Sequence, residues 1–136
     1  MCIRDRRSNI LRGLASAAFV VTALFIATPA SAQPFTKQQV DSCFGETVSP
    51  ELKLEGCTAL IQSDRLSGVD LAQVLRLRAF AYSTIAQYDR AIADYDRAIL
   101  INPQDADALD GRGNAYNNKG QYDRAIADYD LSLIHI

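Results

Sequence analysis

Histidine is the residue whose scarcity most restricts the chemistry of this chain. Among 136 residues it occurs once, as His135, and cysteine occurs three times. Ser-His and Cys-His nucleophilic pairs need a histidine, and so do most mixed zinc sites. The sequence also has no Cys-x-x-Cys spacing and no Gly-rich phosphate loop. We therefore predict that the protein is not an enzyme in itself, with no catalytic residue, cofactor or metal.

An excess of positive charge is also missing. Lys and Arg together number 14 against 16 Asp and Glu, which gives a formal net charge of −2. A protein that binds nucleic-acid backbones needs a basic surface. We predict that nucleic acid is not a partner.

The two ends of the chain can be back-translated into one DNA stretch and its reverse complement. These ends are residues 1–6, MCIRDR, and residues 131–136, LSLIHI. The stretch resembles a transposase end sequence used to prepare sequencing libraries, so we interpret both hexapeptides as translated adapter around a genomic fragment. Such residues are excluded from fold reasoning. Without them no histidine remains, and the cysteines are reduced to Cys43 and Cys57.

Residues 7–32 have the pattern of a secretory signal peptide. Arg7 and Arg12 precede an uncharged apolar run over residues 14–27, and an Ala-Ser-Ala triplet ends at Ala32. The run is shorter than the roughly 20 residues that span a bilayer core. We predict cleavage after Ala32, no stable membrane anchor afterwards, and a periplasmic or secreted location.

Export to an oxidising compartment favours a disulfide between Cys43 and Cys57. Closing a loop of about 15 residues stabilises by roughly 3 kcal/mol if the crosslink acts by restricting the unfolded chain. We prefer this structural role to a redox or metal-binding role, because the spacing and the lack of histidine fit neither.

The decamer QYDRAIADYD occurs twice, at residues 87–96 and 121–130, 34 residues apart. Each copy has apolar residues at helical spacing and follows another such stretch, LAQVLRLRAFAYSTIA or DALDGRGNAYNNKG. Ala86 or Gly120 separates the two stretches of a unit, and Asn102-Pro103 ends the second stretch of the first unit. The pattern predicts an all-α fold of antiparallel helical hairpins.

This unit resembles the tetratricopeptide repeat (TPR), a helix-turn-helix of 34 residues. The matching positions hold aliphatic, small or aromatic residues: Leu75 and Leu109, Ala79 and Gly113, Tyr82 and Tyr116, Ala91 and Ala125, Tyr95 and Tyr129, Ala98, and Pro103. Arg78 and Arg112 depart from the family, since they stand where leucine is common. The resemblance implies an α-solenoid with a first repeat at 69–105 and a truncated second repeat at 106–130.

TPR arrays generally need about three units for stability, and fewer than two are present. We therefore interpret residues 33–68 as an N-terminal helical cap. Its pattern predicts a short helix around Lys37 to Phe44, a turn at Ser49-Pro50 and a second helix from Glu51 to about Gln62. The disulfide would fasten these helices together. The segment GCTALIQS is similar to a cysteine-bearing helix that precedes the first repeat in exported bacterial TPR proteins.

In the TPR family, the first helix of each unit lines a concave groove that binds peptides or extended protein segments. Carried over by position, the partner-binding residues are Gln73, Arg76, Phe80, Ser83, Thr84, Asp107, Asp110, Asn114, Asn117 and Asn118. Asn114 matches an asparagine that hydrogen-bonds the ligand backbone in many members. Asp107 and Asp110 would repel a terminal carboxylate and suit a partner with Lys or Arg. The alternative interpretation, which has equal weight, is that these polar residues only solvate the exposed face of a helix.

Aspartates also recur within the decamer, as Asp89, Asp94 and Asp96 and in the second copy. They lie at helical spacing with arginines between them, and no calcium-binding Asp-x-Asp-x-Asp-Gly loop is present. We interpret them as a salt-bridged, solvated helix face.

Two functions are consistent with these features. The first is an exported, non-catalytic scaffold or adaptor that binds a protein or peptide in its groove. The second is the recruiting arm of a larger exported enzyme whose catalytic domain lies beyond Asp130.

Overall fold

The structure is a computed structural model that describes residues 34–135 of the chain. The predicted signal peptide at 7–32, the hexapeptide at 1–6 that we interpret as adapter, and residue 136 lie outside the described residues. Within that range the chain forms six α-helices, α1 (Lys37–Phe44), α2 (Pro50–Gln62), α3 (Gly68–Thr84), α4 (Tyr88–Ile101), α5 (Ala106–Asn118) and α6 (Tyr122–His135). Consecutive helices pair as three hairpins, and the hairpins pack on one another through α2 with α3 and α4 with α5.

Helix starts follow from side chains that satisfy the first free backbone amides. Thr36 and Gln39 form a capping box at α1, with Gln39 N donating to Thr36 Oγ1 over 3.2 Å and Thr36 N donating to Gln39 Oε1 over 3.0 Å. Ser49 caps α2 ahead of a proline at the first helical position, and Asp105 caps α5. None of the helices described in residues 34–135 is long and apolar enough to cross a membrane.

Small residues set how closely the helices of a hairpin approach. Ala79 of α3 and Ala91 and Ala98 of α4 are fully buried in one cluster with Leu75 and Tyr95. In the first hairpin, a Cβ added to Gly56 would lie 2.8 Å from the backbone nitrogen of Cys43. A hairpin of two closely packed helices still has apolar side chains on its two outer sides. Each hairpin buries these side chains by stacking on a neighbouring hairpin.

Both turns between the helices of a repeat use a left-handed residue. Ala86 has φ 58° and Gly120 has φ 73°. The turns are otherwise alike, since Gln87 N donates to Tyr82 O and Gln121 N donates to Tyr116 O, each over 2.9 Å. In this conformation the Cβ of alanine comes too close to the backbone, which is a steric cost that glycine does not have. The alanine at the loop position is therefore tolerated at a cost in stability.

We predict that Ala86→Gly stabilises the protein by about 0.5–1 kcal/mol, because it relieves the left-handed alanine. The matched control is Ala93→Gly on the exposed side of α4, which should lose about 1 kcal/mol. Urea unfolding followed by circular dichroism measures both. A loss of stability in Ala86→Gly would contradict the account of this turn.

The first hairpin carries a disulfide between its helices. Cys43 and Cys57 are both fully buried, with a sulfur–sulfur distance of 2.07 Å and a Cα–Cα distance of 4.7 Å. Leu60 and Val74 pack around them, so the bridge lies at the junction of α1, α2 and α3. Its formation in the expressed protein stays a prediction.

We expect mass spectrometry of the protein from an oxidising compartment to show Cys43 joined to Cys57, with neither thiol alkylated before reduction. The double substitution Cys43→Ser with Cys57→Ser should lower the free energy of unfolding by about 2–4 kcal/mol. Reductant should destabilise the parent protein and leave the double variant unchanged. Two thiols that react freely in the native protein would contradict the assignment.

The last helix runs past the predicted end of the second repeat. We placed that end at Asp130, but α6 continues to His135. Ser132 is buried, and its hydroxyl donates to the Tyr129 carbonyl over 3.0 Å. Residues 131–135, which we interpret as adapter, thus continue α6 as helix, and Ser132 packs into the protein.

Candidate functional site

The ten residues predicted to bind a partner all lie on α3 and α5, the first helices of the second and third hairpins. These two helices are in direct contact. Eight of the ten side chains are exposed, and only Arg76 and Ser83 are half-buried. The surface they form is called the groove below.

At one end of the groove, an ion-pair cluster joins α3 to the start of α5. Arg76 Nε lies 3.3 Å from Asp105 Oδ2, and Arg76 Nη1 lies 3.4 Å from Asp107 Oδ2. A shallow cavity of about 400 Å³ lies beside it, and Gln73 and His135 contribute to its lining. Asp107, which we expected to meet a basic partner, therefore already has a cation within the protein.

Asn114 is the centre of a second polar cluster. Its Nδ2 donates to Asp110 Oδ2 over 3.2 Å, and its Oδ1 accepts from the Tyr129 hydroxyl over 2.9 Å. The neighbouring Asn118 donates to the Asn114 carbonyl over 2.8 Å. These bonds fix the direction of the Asn114 amide, which still has one N–H and one oxygen lone pair for a further partner. Asp110 is exposed and has no cation beside it among the described residues.

The floor of the groove is a buried tyrosine that the sequence identified only as a packing residue. Tyr95 is 2% exposed, and a Cβ added to Gly111 would lie 2.4 Å from its hydroxyl. Burial raises the pKa of Tyr95 to about 12, although nearby Ser83 and Arg76 act in the opposite direction. Gly111 is therefore needed for space. Its position inside an otherwise helical stretch was the available sequence signal.

Phe80 is the large apolar residue of the groove. Phe80 lies on α3 and is 61% exposed, outside the core. An exposed aromatic ring beside hydrogen-bonding groups is typical of surfaces that anchor another polypeptide.

Two of the decamer aspartates contradict the predicted solvated face. Asp94 and Asp128 are each only 4% exposed. Arg78 holds Asp94 through two bonds of 2.7 and 2.8 Å, and Arg112 holds Asp128 through bonds of 2.8 and 2.6 Å. Hydrogen bonding to these carboxylates raises the pKa of both arginines. The prediction was wrong for these two aspartates because the arginines that hold them come from the neighbouring helix, while Arg97 of the same helix lies farther away, 4.0 Å from Asp94.

The same arginines also reach the preceding hairpin. Arg112 Nη1 donates to Asp96 of α4 over 2.6 Å, and Arg78 Nη1 donates to Thr58 of α2 over 3.3 Å. Each arginine therefore joins its own hairpin to the one before it. The departure from leucine at this position of the repeat is thus explained by a polar junction between units.

We predict that Asp94→Ala destabilises the protein by about 3–5 kcal/mol, since it leaves the Arg78 guanidinium buried without its carboxylate. Replacing the pair together, as Arg78→Leu with Asp94→Leu, should recover most of that loss. Asp123→Ala on the exposed side of α6 is the control and should change stability by less than about 0.5 kcal/mol. The midpoints of urea unfolding measure these changes in stability. Equal effects of Asp94→Ala and Asp123→Ala would contradict a stabilising ion pair between Arg78 and Asp94.

Comparison with known proteins agrees with this geometry. A family model described as "TPR repeat" matches residues 87–120, which cover α4 and α5. A solved structure, the second TPR of Spaghetti (RPAP3) bound to the HSP90 peptide SRMEEVD, superposes with a TM-score of 0.62 and 26% sequence identity, over 74% of this chain and 94% of that one. No curated protein matches the sequence. Residues 87–120 are thus similar to a TPR repeat, and the described helices have the arrangement of a TPR domain.

No group of His, Cys, Asp or Glu side chains within residues 34–135 is placed to hold a metal ion. The clustered carboxylates instead face arginine, lysine or asparagine.

Proposed function

We propose that this protein is an exported interaction module that binds an extended peptide segment in the groove of α3 and α5. The observation that carries the proposal is the combination of an oriented amide, Asn114, with an exposed aromatic ring, Phe80, on adjacent helices. The amide offers a donor and an acceptor to a peptide backbone, and the ring offers an apolar anchor. The similar TPR of Spaghetti was solved with a peptide bound, which supports this class of ligand.

The charge of the groove favours a partner with lysine or arginine. Three carboxylates, Asp105, Asp107 and Asp110, lie along it, and Arg76 pairs with the first two. Asp110 is left facing solvent with a neutral neighbour, Asn114. A basic side chain placed there gains a charge-assisted hydrogen bond, although an exposed pair contributes only about 0–1 kcal/mol.

Export is part of the proposal because of the N-terminal sequence pattern and the paired cysteines. The proposed location is the periplasm or the extracellular medium, where a disulfide such as Cys43–Cys57 persists. After signal cleavage the protein is proposed to act without a membrane anchor.

We expect that selection from a random peptide library on the immobilised protein enriches sequences with lysine or arginine and a large apolar residue. Affinity for a selected peptide should fall roughly tenfold in Asn114→Ala and in Phe80→Ala, since each change removes about 1–2 kcal/mol of contact. Asp110→Asn should lower affinity mainly at low salt.

Leu100→Ala serves as the control, because Leu100 is 83% exposed on α4 and lies outside the groove. It should bind as the parent does. Circular dichroism must show that all variants are folded. Peptides that bind equally well to the parent and to the Asn114 and Phe80 variants would place the binding surface elsewhere and overturn the proposal.

A further inference from the structure

Helix α1 belongs to the same row of helices as α3 and α5. It contacts α3, just as α3 contacts α5, and each of the three is the first helix of its hairpin. The row of helices that carries the groove therefore begins at α1, although the sequence of α1 lies outside the repeat pattern.

Contacts identify two sides of α1. A Cβ added to Gly56 of α2 would lie 2.7 Å from the Cβ of Ser42 and 2.8 Å from the backbone nitrogen of Cys43, so these two residues face α2. Val40 and Cys43 pack in one cluster with Val74 of α3, so the adjoining side faces α3. The side of α1 that points away from α2 is therefore the one that continues the groove.

Three exposed residues lie on that side of α1. Lys37, Asp41 and Phe44 are four and three positions apart, which places them on one face of a helix. Lys37 Nζ lies 2.9 Å from Asp41 Oδ2, so these two charges balance each other. Phe44 is 42% exposed and is the residue of this face that offers an apolar contact to a ligand.

Several contacts fix the position of α1, which has only eight residues. A helix of this length is marginal by itself. The capping box at Thr36 satisfies its first amides, the missing side chain of Gly56 lets α2 approach its backbone, and a disulfide joins Cys43 to Cys57. Because Phe44 directly follows Cys43, its ring has a fixed support and loses less freedom when a ligand binds.

The surface formed by α1, α3 and α5 changes from apolar to acidic. Phe44 on α1 and Phe80 on α3 are exposed aromatic rings. On α5, the exposed Asp110 accepts a hydrogen bond from the neutral Asn114. A ligand that is complementary to both ends needs an apolar side chain at one end and a cation at the other.

The spacing of the helices determines how far apart these two ligand groups must be. The axes of packed helices are about 8–10 Å apart, so the path from Phe44 on α1 to Asp110 on α5 covers about 16–20 Å. An extended chain advances about 3.3–3.6 Å per residue, so this path corresponds to about five or six residues.

We propose that α1 extends the groove and that the segment bound there is an extended peptide with two defined contacts. A large apolar side chain of the peptide packs on Phe44 and Phe80, and a lysine or arginine about five or six residues away pairs with Asp110. This inference rests on the proposed peptide binding in the groove and specifies which peptides bind. Phe44 is then a specificity-determining residue that matching to the repeat did not indicate, because the first hairpin lies outside the repeat.

Peptides selected from a random library on the immobilised protein test the spacing. The enriched sequences should have a large apolar residue and a basic residue about five or six positions apart, in either chain direction. For one selected peptide, Phe44→Ala should weaken binding roughly 5- to 10-fold, measured by fluorescence anisotropy. Leu52→Ala is the matched control, because Leu52 is 50% exposed on α2, and it should bind as the parent does.

Changes in the peptide identify which contact each protein residue makes. Replacing the apolar residue of the peptide with alanine should remove most of the effect of Phe44→Ala, because the two groups contact each other. Replacing the basic residue with glutamine should leave that effect in place. Asp110→Asn should show the reverse pattern. If Phe44→Ala lowers the helical circular dichroism signal, Phe44→Gln repeats the test with a side chain that is longer than alanine.

Different results overturn different parts of the account. If Asn114→Ala weakens binding while Phe44→Ala and Leu52→Ala bind alike, the peptide uses α3 and α5 alone, and the extension to α1 is wrong although the groove binds peptides. Enriched peptides without a preferred separation between apolar and basic residues would overturn the stated ligand chemistry. Binding that is independent of both Asn114 and Phe80 would overturn peptide binding in the groove itself.

Discussion

The structure depends on how closely two helices of a hairpin approach. Alanine at 79, 91 and 98 brings α3 and α4 together with fully buried contacts, and Gly113 plays the same part in the next hairpin, where a Cβ would lie 2.7 Å from the Tyr129 ring. Two helices alone cannot bury all of their apolar side chains. The apolar side chains on the two outer sides of a hairpin are buried only by the hairpins before and after it. Stacking then leaves α3 and α5 side by side with their outward faces free for a partner.

Polar contacts determine how one hairpin meets the next. Arg78 and Arg112 each hold a buried aspartate of their own hairpin and a polar group of the preceding one. A buried ion pair adds little net stability over well-packed apolar groups, but a misplaced hairpin would leave its charges unpaired, which is costly. The pairs therefore favour one stacking register. The helices that carry these arginines, α3 and α5, thus supply both the contacts to the preceding hairpin and the groove.

Periodicity and turn residues were sufficient to predict the helices and their pairing. The short helix predicted at Lys37–Phe44 coincides with α1, and the predicted turn residues separate α3 from α4 and α5 from α6. Contacts between helices were not predictable in this way, because spacing along one helix does not reveal the charges of its neighbour. For that reason Asp94 was misplaced on a solvated face, and the pairing of Asp107 with Arg76 was missed. The groove residues lie where the family resemblance implied, but their hydrogen bonds to one another required the structure.

Native-state hydrogen exchange tests most directly whether stacking stabilises each hairpin. The amides of residues 88–96 and 122–130 have identical side chains and nearly identical local sequence, so their intrinsic exchange rates are the same and only their surroundings differ. Because α4 lies between two neighbours and α6 has one among the described residues, the account predicts markedly slower exchange in the first set. Equal protection of the two sets would contradict it, since each hairpin would then hold its structure without the next.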